Sequence, residues 1–467
     1  MTDVQLDRPD AASAAFAPAD IEHWLSSEPP VSADFRGDCA AFGPFWEGMA
    51  RLLAKLPGPA ERQEHHRKAA RMILELARKP RRVFLRRHAD AIYDALTAGR
   101  TRFVRMGDLV TSAQRQFPGL VPSPQGLAAE DGLRQAEKAG LEIDQGLFIS
   151  ALLENPTSGR HLCHAMLLPR EEATALLPEF IKTGRVEVPG ASIERKGKAA
   201  IVTFRNPRFL NAEDQTTLYG METCVDLALL DERVEVAVLR GMPVENPKYK
   251  DRRVFGSGIN LTHLYHGRIP FLWYLERDLG YVNKLYRGLA LPDDAPPDEF
   301  GGLTVEKPWI AVVEAFAIGG HCQLLLAVDY VLAERTAFMT LPARKEGIIP
   351  GAANMRLPRA IGDRIARQAI QYERRLECDS PEGRMICDEI VELGTMDSAI
   401  DRVVDGLTNS GVVSAASNRR AFRIAQEPLE MFQQYFAVYA REQAYCHFSP
   451  ALIGNLERYW NAANRKF

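Results

Sequence analysis

The chain has 467 residues, of which 46% are hydrophobic and 25% are charged, and its formal net charge is −3. This length exceeds that of a typical domain and the composition is that of a globular protein, so two domains with sizeable cores are expected. The nearly balanced charge gives no support for nucleic acid or an anionic membrane as a partner.

The distribution of the cysteines predicts the cellular compartment of the protein. There are seven of them, scattered along the chain with no CxxC pair. The sequence shows no signal peptide and no apolar run long enough to cross a bilayer. In such a chain, scattered cysteines predict reduced thiols in a cytoplasmic protein.

The first part of the chain is predicted to be helical. Residues 1–35 are rich in Ala, Pro, Asp and Ser and are expected to form a flexible arm. From Phe42 to Pro178 apolar residues recur at i, i+3, i+4 and i+7. Helix breaks are predicted at Pro57-Gly58, Pro80, Gly99, Pro118-Gly119 and Pro156. Because β-rich runs begin in VEVPGASIERKGKAAIVTF, we predict a helical domain at residues 36–185 and a second domain at residues 186–467.

The second domain alternates strands and helices, which predicts an α/β fold. The predicted strands are Ala199–Phe204, Val234–Arg240, Trp309–Ala315 and a short strand end at Arg253–Gly256. The predicted helices are Ala212–Leu230 and Phe271–Leu289. The acidic, proline-rich stretch LPDDAPPDEFGG, at residues 291–302, predicts a surface loop or lid.

Metal and nucleotide motifs give no convincing site. The HAD stretch (His88, Asp90) has the spelling of an iron-binding triad, but its two residues face different sides of a predicted helix. The HLCH and HLYH stretches lack the further ligands of a zinc site. The sequence contains no GxGxxG, Walker, GxSxG or HExxH motif. No metal ligand set is therefore predicted.

Two glycine-rich loops are the strongest chemical signal. One lies in AFAIGGHCQLL, between a strand and a helix, and the other in RRVFGSGINL. Glycines at such positions let the backbone approach a ligand and direct its amides toward it. The amide of Gly320 also gains from opening a helix. Two such loops could each give one N–H to the same thioester oxygen, and one such donor is worth roughly 3 kcal/mol in a transition state.

These loops belong to a longer series of motifs. FRNPRFLNAED, RRVFGSGINL, KPWIAVVEAFAIGGHCQLLLAVDYVLA, FMTLPARKEGIIPG and the closing SPALIGNLERYWNAANRKF together resemble the crotonase (enoyl-CoA hydratase/isomerase) superfamily over about residues 187–467. The resemblance implies a crotonase-like spiral of β-β-α units and C-terminal trimerisation helices. It also implies a homo-oligomer, either a trimer or a dimer of trimers. By position, it places the two oxyanion amides on Ile259 and Gly320.

The residues that depart from the superfamily pattern limit the reactions that the site can catalyse. In hydratases and isomerases two glutamates move the protons, and here these positions fall on Gln323 and Ala343. An amide does not titrate and alanine has no polar group, so neither residue can be a general base. Addition of water to a double bond is therefore not expected. The group that removes a substrate proton is left unassigned.

The whole chain, including its helical extension, resembles the cofactor-independent 3,5-dihydroxyphenylacetyl-CoA 1,2-dioxygenases of glycopeptide-antibiotic biosynthesis. The stretches GIIPGAANMRLPRAIGDRIARQAI and ERDLGYVNKLYRGL are especially similar. This resemblance implies an aryl-acetyl-CoA substrate that reacts with O2 without a cofactor. It assigns Glu213, Arg277 and Gln323 to the dihydroxyphenyl end, and Ile259 and Gly320 to the thioester oxygen. Further substrate contacts are expected at Ser257, Gly258, Asn260, Gly319, Ile349, Arg253 and Lys248.

Several alternatives stay open at this point. Glu213 could cap a helix, Asp278 or Arg268 could take the place of Arg277, and the site isoleucines could belong to the core. The basic stretch KYKDRR, at residues 248–253, could be a solvated face or a phosphate anchor. The function could also be that of a thioesterase or decarboxylase acting on another aryl-acyl-CoA, or of a non-catalytic acyl-CoA-binding protein.

Overall fold

The fold is described for residue 16, residues 18–291 and residues 304–465 in a computed structural model. The N-terminal helices are α1 (Pro18–Ser26), α2 (Phe35–Ala54), α3 (Glu64–Leu96), α4 (Met106–Gln116), α5 (Pro124–Ala128), α6 (Ile143–Glu154), α7 (Pro156–Leu167) and α8 (Glu171–Thr183). The central helices are α9 (Gln215–Leu230), α10 (Leu261–Tyr265), α11 (Leu272–Leu279), α12 (Tyr281–Arg287), α13 (Gly320–Leu325), α14 (Ala343–Glu346), α15 (Ala353–Ile361) and α16 (Asp363–Tyr372). The C-terminal helices are α17 (Met396–Thr408), α18 (Val413–Gln426), α19 (Leu429–His447) and α20 (Pro450–Trp460).

The strands form three sheets. They are β1 (Arg185–Val188), β2 (Ala191–Lys196), β3 (Ala199–Phe204), β4 (Val236–Gly241), β5 (Leu289–Ala290), β6 (Thr304–Val305), β7 (Trp309–Val313), β8 (Phe316–Ile318), β9 (Tyr330–Glu334), β10 (Phe338–Thr340), β11 (Leu376–Glu377) and β12 (Glu389–Val391). The main sheet has the order β1-β2-β3-β4-β7-β9-β12, a smaller sheet has the order β11-β10-β8, and β5 pairs with β6. Strands with intervening helices on a largely parallel sheet confirm the α/β class.

The inner strands of the main sheet are apolar along their length. All residues of β7 are buried, and β4 beside it is buried at every position except Arg240. The two strands are parallel, with Ala237 opposite Trp309, and β9 continues the parallel pairing on the far side of β7. Parallel strands that are covered on both faces need such continuous apolar runs. The predicted strand Ala199–Phe204 is confirmed as β3.

The smaller sheet positions the glycine-rich loops. Strand β8 pairs in parallel with β10, and Gly256 forms an isolated parallel bridge with Ala317 of β8. The stretch predicted as a strand end, Arg253–Gly256, therefore forms two isolated bridges and no regular strand. The second bridge joins Arg253 to Pro243. The RRVFGSGINL loop thus runs along the strand that leads into the second glycine loop.

The predicted break at Pro80 is wrong, because α3 continues through it from Glu64 to Leu96. A proline inside a helix removes one hydrogen bond and costs about 3 kcal/mol. Tertiary packing offsets this cost here, because Ile73 and Ala77 before the proline and Phe84 after it lie on one buried face. Local helix propensity is commonly overridden by such burial.

The predicted N-terminal arm lies partly outside the described residues, namely residues 1–15 and 17. The rest of it differs from a flexible arm, because it contains helix α1. Trp24 is buried, stacks on Phe45 at 5.0 Å between ring centroids, and donates its indole N–H to the Phe45 carbonyl at 2.9 Å. One large aromatic side chain can anchor an otherwise polar segment in this way. Residues 292–302 of the predicted loop or lid also lie outside the described residues.

The N-terminal helices and the sheet share one hydrophobic core. Helix α8 ends at Thr183, β1 begins at Arg185, and a single cluster of buried side chains extends through both parts. Helix α6 packs so closely on α19 that a Cβ on Gly146 would lie 2.5 Å from the Cβ of Ala444. The Glu142 carboxylate, at the start of α6, accepts the N–H of Phe271 at 2.5 Å. The N-terminal helices therefore hold the beginning of α11.

The predicted helix Phe271–Leu289 is interrupted. It is divided into α11 and α12 at Gly280, where φ is −86° and ψ is −115°. A Cβ at Gly280 would lie 2.3 Å from the Glu276 carbonyl oxygen, so the break needs a glycine. The break separates Arg277 on α11 from Tyr281 on α12.

The C-terminal helix α20 packs on its own chain. The sequence carries Leu452, Leu456, Tyr459 and Trp460 at helical spacing, which predicts an apolar stripe that needs a partner surface. Leu452 and Leu456 are buried against α10 and α14, so this stripe is largely covered within the chain. Tyr459 of the same helix is exposed. In the described part of the chain, no helix is both long and apolar enough to cross a membrane.

Candidate active site

The two glycine-rich loops meet, and two of their backbone amides have no acceptor among the described residues. The Glu213 N–H donates to Gly258 O and the Asn260 N–H donates to Glu213 O, each at 2.7 Å. This bridge turns the N–H of Ile259 away from Glu213, because neighbouring backbone groups of an extended chain point to opposite sides. No described residue accepts a hydrogen bond from the N–H of Ile259 or from that of Gly320. Both residues line the same partly enclosed cavity.

Close contacts explain the glycines of these loops. Gly319 has a φ of +55°, which favours glycine, and a Cβ at Gly258 would lie 3.1 Å from the Gly320 nitrogen. A Cβ at Gly320 would lie 2.3 Å from Glu213 Oε2 and 3.0 Å from Arg277 Nη2. The backbone at Gly320 therefore lies so close to a buried ion pair that any larger residue at this position would clash with it.

Arg277 joins three of the predicted site residues in one network. Its guanidinium donates twice to Glu213, from Nε at 2.7 Å and from Nη2 at 3.0 Å. It also donates to Gln323 Oε1 at 3.0 Å, to Gly320 O at 2.9 Å and to Asp278 Oδ1 at 2.6 Å. Arg277 thus connects the predicted ring-recognition residues to the backbone of the oxyanion loop. The alternative in which Glu213 caps a helix does not apply, because Asp214 is the N-cap of α9.

The network keeps its charges despite burial. Burial opposes ionisation of Glu213, but the charge of Arg277 and the hydrogen bonds from Arg277 and Tyr281 act together against it, and the pKa of Glu213 is lowered. Burial likewise opposes the charge of Arg277, yet Glu213 and its other partners raise the pKa of Arg277 well above its usual value. The hydroxyl of Tyr281 donates to Glu213 Oε1. Such a fully bonded buried ion pair defines one geometry.

His321 is uncharged and packs against the RRVFGSGINL loop. Its Nδ1 accepts the N–H of Gly258 at 3.1 Å, and its ring lies so close to Gly256 that a Cβ there would meet it at 2.1 Å. Burial is the main cause that lowers the pKa of His321 to about 4. The imidazole is therefore neutral at physiological pH and fixes the Gly258 peptide by accepting its hydrogen bond.

The polar and apolar sides of the cavity differ. Gln323 is half-buried, and because its oxygen accepts from Arg277, its NH₂ group remains without an acceptor among the described residues. Ile259, Ile348 and Ile349 give the cavity an apolar wall, and Ala343 occupies the position of the second hydratase acid. The cavity can therefore donate hydrogen bonds at one side and exclude water at the other.

A third carboxylate lines this cavity besides Glu213 and Asp278. Glu346, at the end of α14, is buried, and no described N–H or O–H donates to it. Its oxygens lie 3.8 Å and 4.0 Å from the position that a Cβ on Gly319 would take. Burial is the main cause that raises the pKa of Glu346 to about 7, and the charge of Glu373 adds to it.

Two residues that were predicted to contact the substrate have side chains that do not line the cavity. The side chain of Asn260 caps α10 through His263 N–H and donates to Asp214 at 2.9 Å, and the Ser257 hydroxyl donates to Phe209 O at 3.1 Å. Neither side chain lines the cavity.

The two cations predicted as substrate contacts, Arg253 and Lys248, also lie away from this cavity. Arg253 donates to Gly241 O at 3.0 Å and lines a separate pocket with Arg240 and Glu314. Lys248 is exposed, and its ammonium lies 5.2 Å from the ring centroid of Tyr249. Neither side chain lines the cavity that holds the two amides.

Sequence reasoning missed Tyr281, His321 and Glu346. Tyr281 follows Arg277 by one helical turn, a spacing that could have indicated a shared face. His321 directly follows Gly320, and Glu346 lies three residues after the vacant position Ala343. These signals are weak on their own, because buried tyrosine, histidine and glutamate occur in many structural roles.

The comparisons with known proteins identify the family of the chain. Residues 302–439 match the family model described as enoyl-CoA hydratase/isomerase. The chain is 44% identical over 406 residues to a (3,5-dihydroxyphenyl)acetyl-CoA 1,2-dioxygenase of Amycolatopsis orientalis, covering 87% of this chain and 92% of that protein. The chain belongs to this dioxygenase family of the crotonase superfamily. Because the alignment is longer than residues 186–467, at least part of the N-terminal helical region also matches that protein.

More distant relatives match about half of the chain or somewhat more. A short-chain-enoyl-CoA hydratase of Clostridium acetobutylicum is 25% identical over 239 residues, covering 50% of this chain and 82% of that protein. An enoyl-CoA hydratase structure from Mycobacterium avium subsp. paratuberculosis is 20% identical, with a TM-score of 0.48, and covers 60% of this chain and 99% of that chain.

Proposed function

We propose that the protein is a dioxygenase that converts 3,5-dihydroxyphenylacetyl-CoA and O2 to 3,5-dihydroxyphenylglyoxylate and free CoA without a metal or organic cofactor. The observation that carries this proposal is the pair of unpaired amides, Ile259 and Gly320, at a cavity where Gln323 and Ala343 stand in the two hydratase acid positions. The identity to the Amycolatopsis orientalis dioxygenase supports the same reaction.

The first step is the formation of an enolate. The α-carbon, between the aryl ring and the thioester, loses a proton, and its electron pair moves onto the thioester oxygen. The N–H groups of Ile259 and Gly320 donate to that oxygen and stabilise its charge. Donors fixed in advance need no reorganisation as the charge develops. The isoleucine wall keeps water from reprotonating the carbanion.

The second step is the reaction of the enolate with O2. The electron-rich enolate reduces O2, and a peroxide forms at the α-carbon. The terminal peroxide oxygen attacks the thioester carbonyl and expels the CoA thiolate. Cleavage of the O–O bond and loss of the remaining α-hydrogen as a proton then give the keto group and the carboxylate. The α-keto acid contains both atoms of O2 and the original thioester oxygen.

Ring recognition is assigned to Glu213, Arg277 and Gln323, with the free NH₂ of Gln323 donating to a ring oxygen. Changing Gln323→Leu should lower kcat/KM by about 5- to 100-fold for the dihydroxyaryl substrate, since an unpaired buried polar group costs ~1–3 kcal/mol. Phenylacetyl-CoA should be affected less. Steady-state kinetics with both thioesters measures the difference, and equal losses would contradict the assignment.

An oxygen electrode tests the reaction class. Protein treated with a chelator should consume O2 with 3,5-dihydroxyphenylacetyl-CoA and release one CoA for each O2 consumed. Release of CoA without O2 uptake would instead indicate a thioesterase, since a decarboxylase leaves the CoA thioester intact. Binding of the thioester without any turnover would indicate a non-catalytic acyl-CoA-binding protein. Either of the last two results would overturn the proposal.

We further propose that the protein is a homotrimer or a dimer of trimers. Exposed apolar side chains on α18, including Val413 at 80% and Phe422 at 63% exposure, support an interface in the C-terminal helices. Apolar patches of this kind mark association surfaces. Light scattering at micromolar concentration should give a mass that is a multiple of three chains, and a stable monomer would contradict the proposal.

Two remaining assignments are also proposals. The division into a helical domain at residues 36–185 and a catalytic domain at 186–467 is supported by the first strand beginning at Arg185. A cytoplasmic location, as expected for an enzyme that uses acyl-CoA, is supported by the seven free cysteines. Fractionation of cells that produce the protein tests the location.

A further inference from the structure

We propose that Glu346 is the base that removes the α-proton of the substrate, an assignment that rests on the function proposed above. Glu346 lines the cavity that Ile259 and Gly320 also line. Both of its oxygens lie within 4.0 Å of the position of a Cβ built on Gly319, with no described donor bonded to them. A carboxylate without partners, beside the donors that hold the enolate oxygen, can accept a proton from the neighbouring carbon.

The other titratable groups of the cavity are already engaged. Glu213 accepts two hydrogen bonds from Arg277, and Asp278 accepts one. An ionised partner makes a carboxylate a weaker base than burial alone would, because the positive charge stabilises its ionised form. Arg277 acts in this way on both residues, although burial still raises the pKa of Asp278. Among the carboxylates that line the described cavity, Glu346 has no such partner.

The position of Glu346 fits the loss of the hydratase acids. Helix α14 begins at Ala343, the vacant position, and Glu346 lies three residues later on the same helical face. Both residues line the cavity. The chain therefore has a carboxylate about one helical turn from the position that a catalytic glutamate occupies in hydratases. The Glu346 side chain consequently enters the cavity from a different position than that glutamate would.

The electrostatic surroundings favour proton uptake. From α11 the cavity receives Tyr274, Arg277 and Asp278, and from α19 it receives Tyr439. From outside the cavity, Glu373 adds negative charge, although it is paired with Arg344 and Lys345 of α14 itself. Burial is the main cause that raises the pKa of Glu346 to about 7. A base with a pKa near the working pH combines adequate basicity with a substantial ionised fraction.

The proton balance is simple. The α-C–H bond breaks, the proton moves to a Glu346 oxygen, and the electron pair enters the enolate that the two amides hold. After the peroxide has expelled CoA, the thiolate takes up that proton, and Glu346 is ionised again. The second α-hydrogen leaves as a proton when the keto group forms.

The proposal is tested by Glu346→Gln, which keeps the shape of the side chain and removes its basicity. With substrate deuterated at the α-carbon and no O2, the wild-type protein should wash out deuterium into water. The variant should wash it out at least about 100-fold more slowly, the effect expected of a general base. A loss of less than tenfold would overturn the assignment. If the wild type exchanges deuterium but consumes no O2, the proposed function fails while the role of Glu346 stands.

The pH profile separates a chemical from a structural role. Wild-type washout should rise with pH through about 7, because Glu346 acts only when ionised. Glu346→Asp keeps a carboxylate and should retain this dependence at a lower rate, whereas Glu346→Gln should lose it. A pH dependence that persists in Glu346→Gln would overturn the proposal.

Glu130 offers a matched control. It is buried, and its pKa is also raised to about 7 by burial, but it accepts the N–H of Ala139 at 2.7 Å and does not line the cavity. Glu130→Gln should therefore keep both the washout rate and its pH dependence. If this variant instead loses the pH dependence, the titrating group is not Glu346 and the proposal is wrong.

Discussion

Gly320→Ala is expected to lower kcat by at least about 10²–10³-fold, the effect of removing one oxyanion donor. The added Cβ would lie 2.3 Å from Glu213 Oε2 and 3.0 Å from Arg277 Nη2. Both atoms belong to a buried ion pair that cannot move aside, so the backbone at residue 320 must shift instead. Its N–H would then leave the position in which it meets the thioester oxygen. Single-turnover measurements of CoA release give the loss directly.

Gly406→Ala is the matched control. Gly406 lies in α17, an added Cβ there has no neighbour within 4 Å, and the residue is exposed. This variant should turn over as the wild type does and be stabilised by up to about 1 kcal/mol, because alanine favours a helix. Equal activity of Gly320→Ala and Gly406→Ala would show that the Gly320 amide has no part in the reaction.

Arg277→Met should lower both stability and activity. It removes the guanidinium that bonds Glu213 twice and leaves that carboxylate buried and unpaired, which costs about 3–5 kcal/mol of folding free energy. It also releases Gln323 and the Gly320 carbonyl, which Arg277 holds. Displacing catalytic donors by about 1 Å can cost about 100-fold in rate. Urea unfolding and steady-state kinetics measure the two effects.

A double variant separates these effects. Glu213→Gln combined with Arg277→Met removes both charges, so much of the lost stability should return, since a neutral pair avoids the buried charge. The activity should not return, because the site still lacks the guanidinium that positions Gln323. If the double variant recovers turnover together with stability, Arg277 serves only the fold.

The backbone part of the site follows from sequence more easily than the side-chain part. Glycine loops at a strand end have a local signature, and the order of RRVFGSGINL and AFAIGGHCQLL along the chain implies where their amides lie. The contacts of Tyr281 and Glu346 depend on how α12 and α14 pack against loops far away in the chain. Spacing within one segment cannot report such contacts. The hydrogen bonds of Asn260 and Arg253 show the same limit, because the sequence does not reveal that Asn260 caps α10 or that Arg253 donates to Gly241 O.

The fold class was predictable, and the failures came from tertiary packing. Uniformly apolar β-runs identify the central strands, since each run is buried on both faces. Pro80 was predicted to end a helix from local propensity alone, but the buried face of α3 continues across it. The apolar stripe on α20 correctly indicates that one face of this helix is buried. A periodic pattern does not say whether that face is covered by the same chain or by a partner chain. Leu452 and Leu456 are covered by α10 and α14.

The most direct test of the central claim is the origin of the oxygen atoms in the product. Chelator-treated protein is supplied with 3,5-dihydroxyphenylacetyl-CoA and ¹⁸O2 in ordinary water, and the keto group is reduced at once so that its label cannot exchange. Mass spectrometry should find two labelled atoms, one at the α-carbon and one in the carboxylate. A carboxylate oxygen derived from water, or an activity that vanishes on chelation and returns with added iron, would contradict the mechanism.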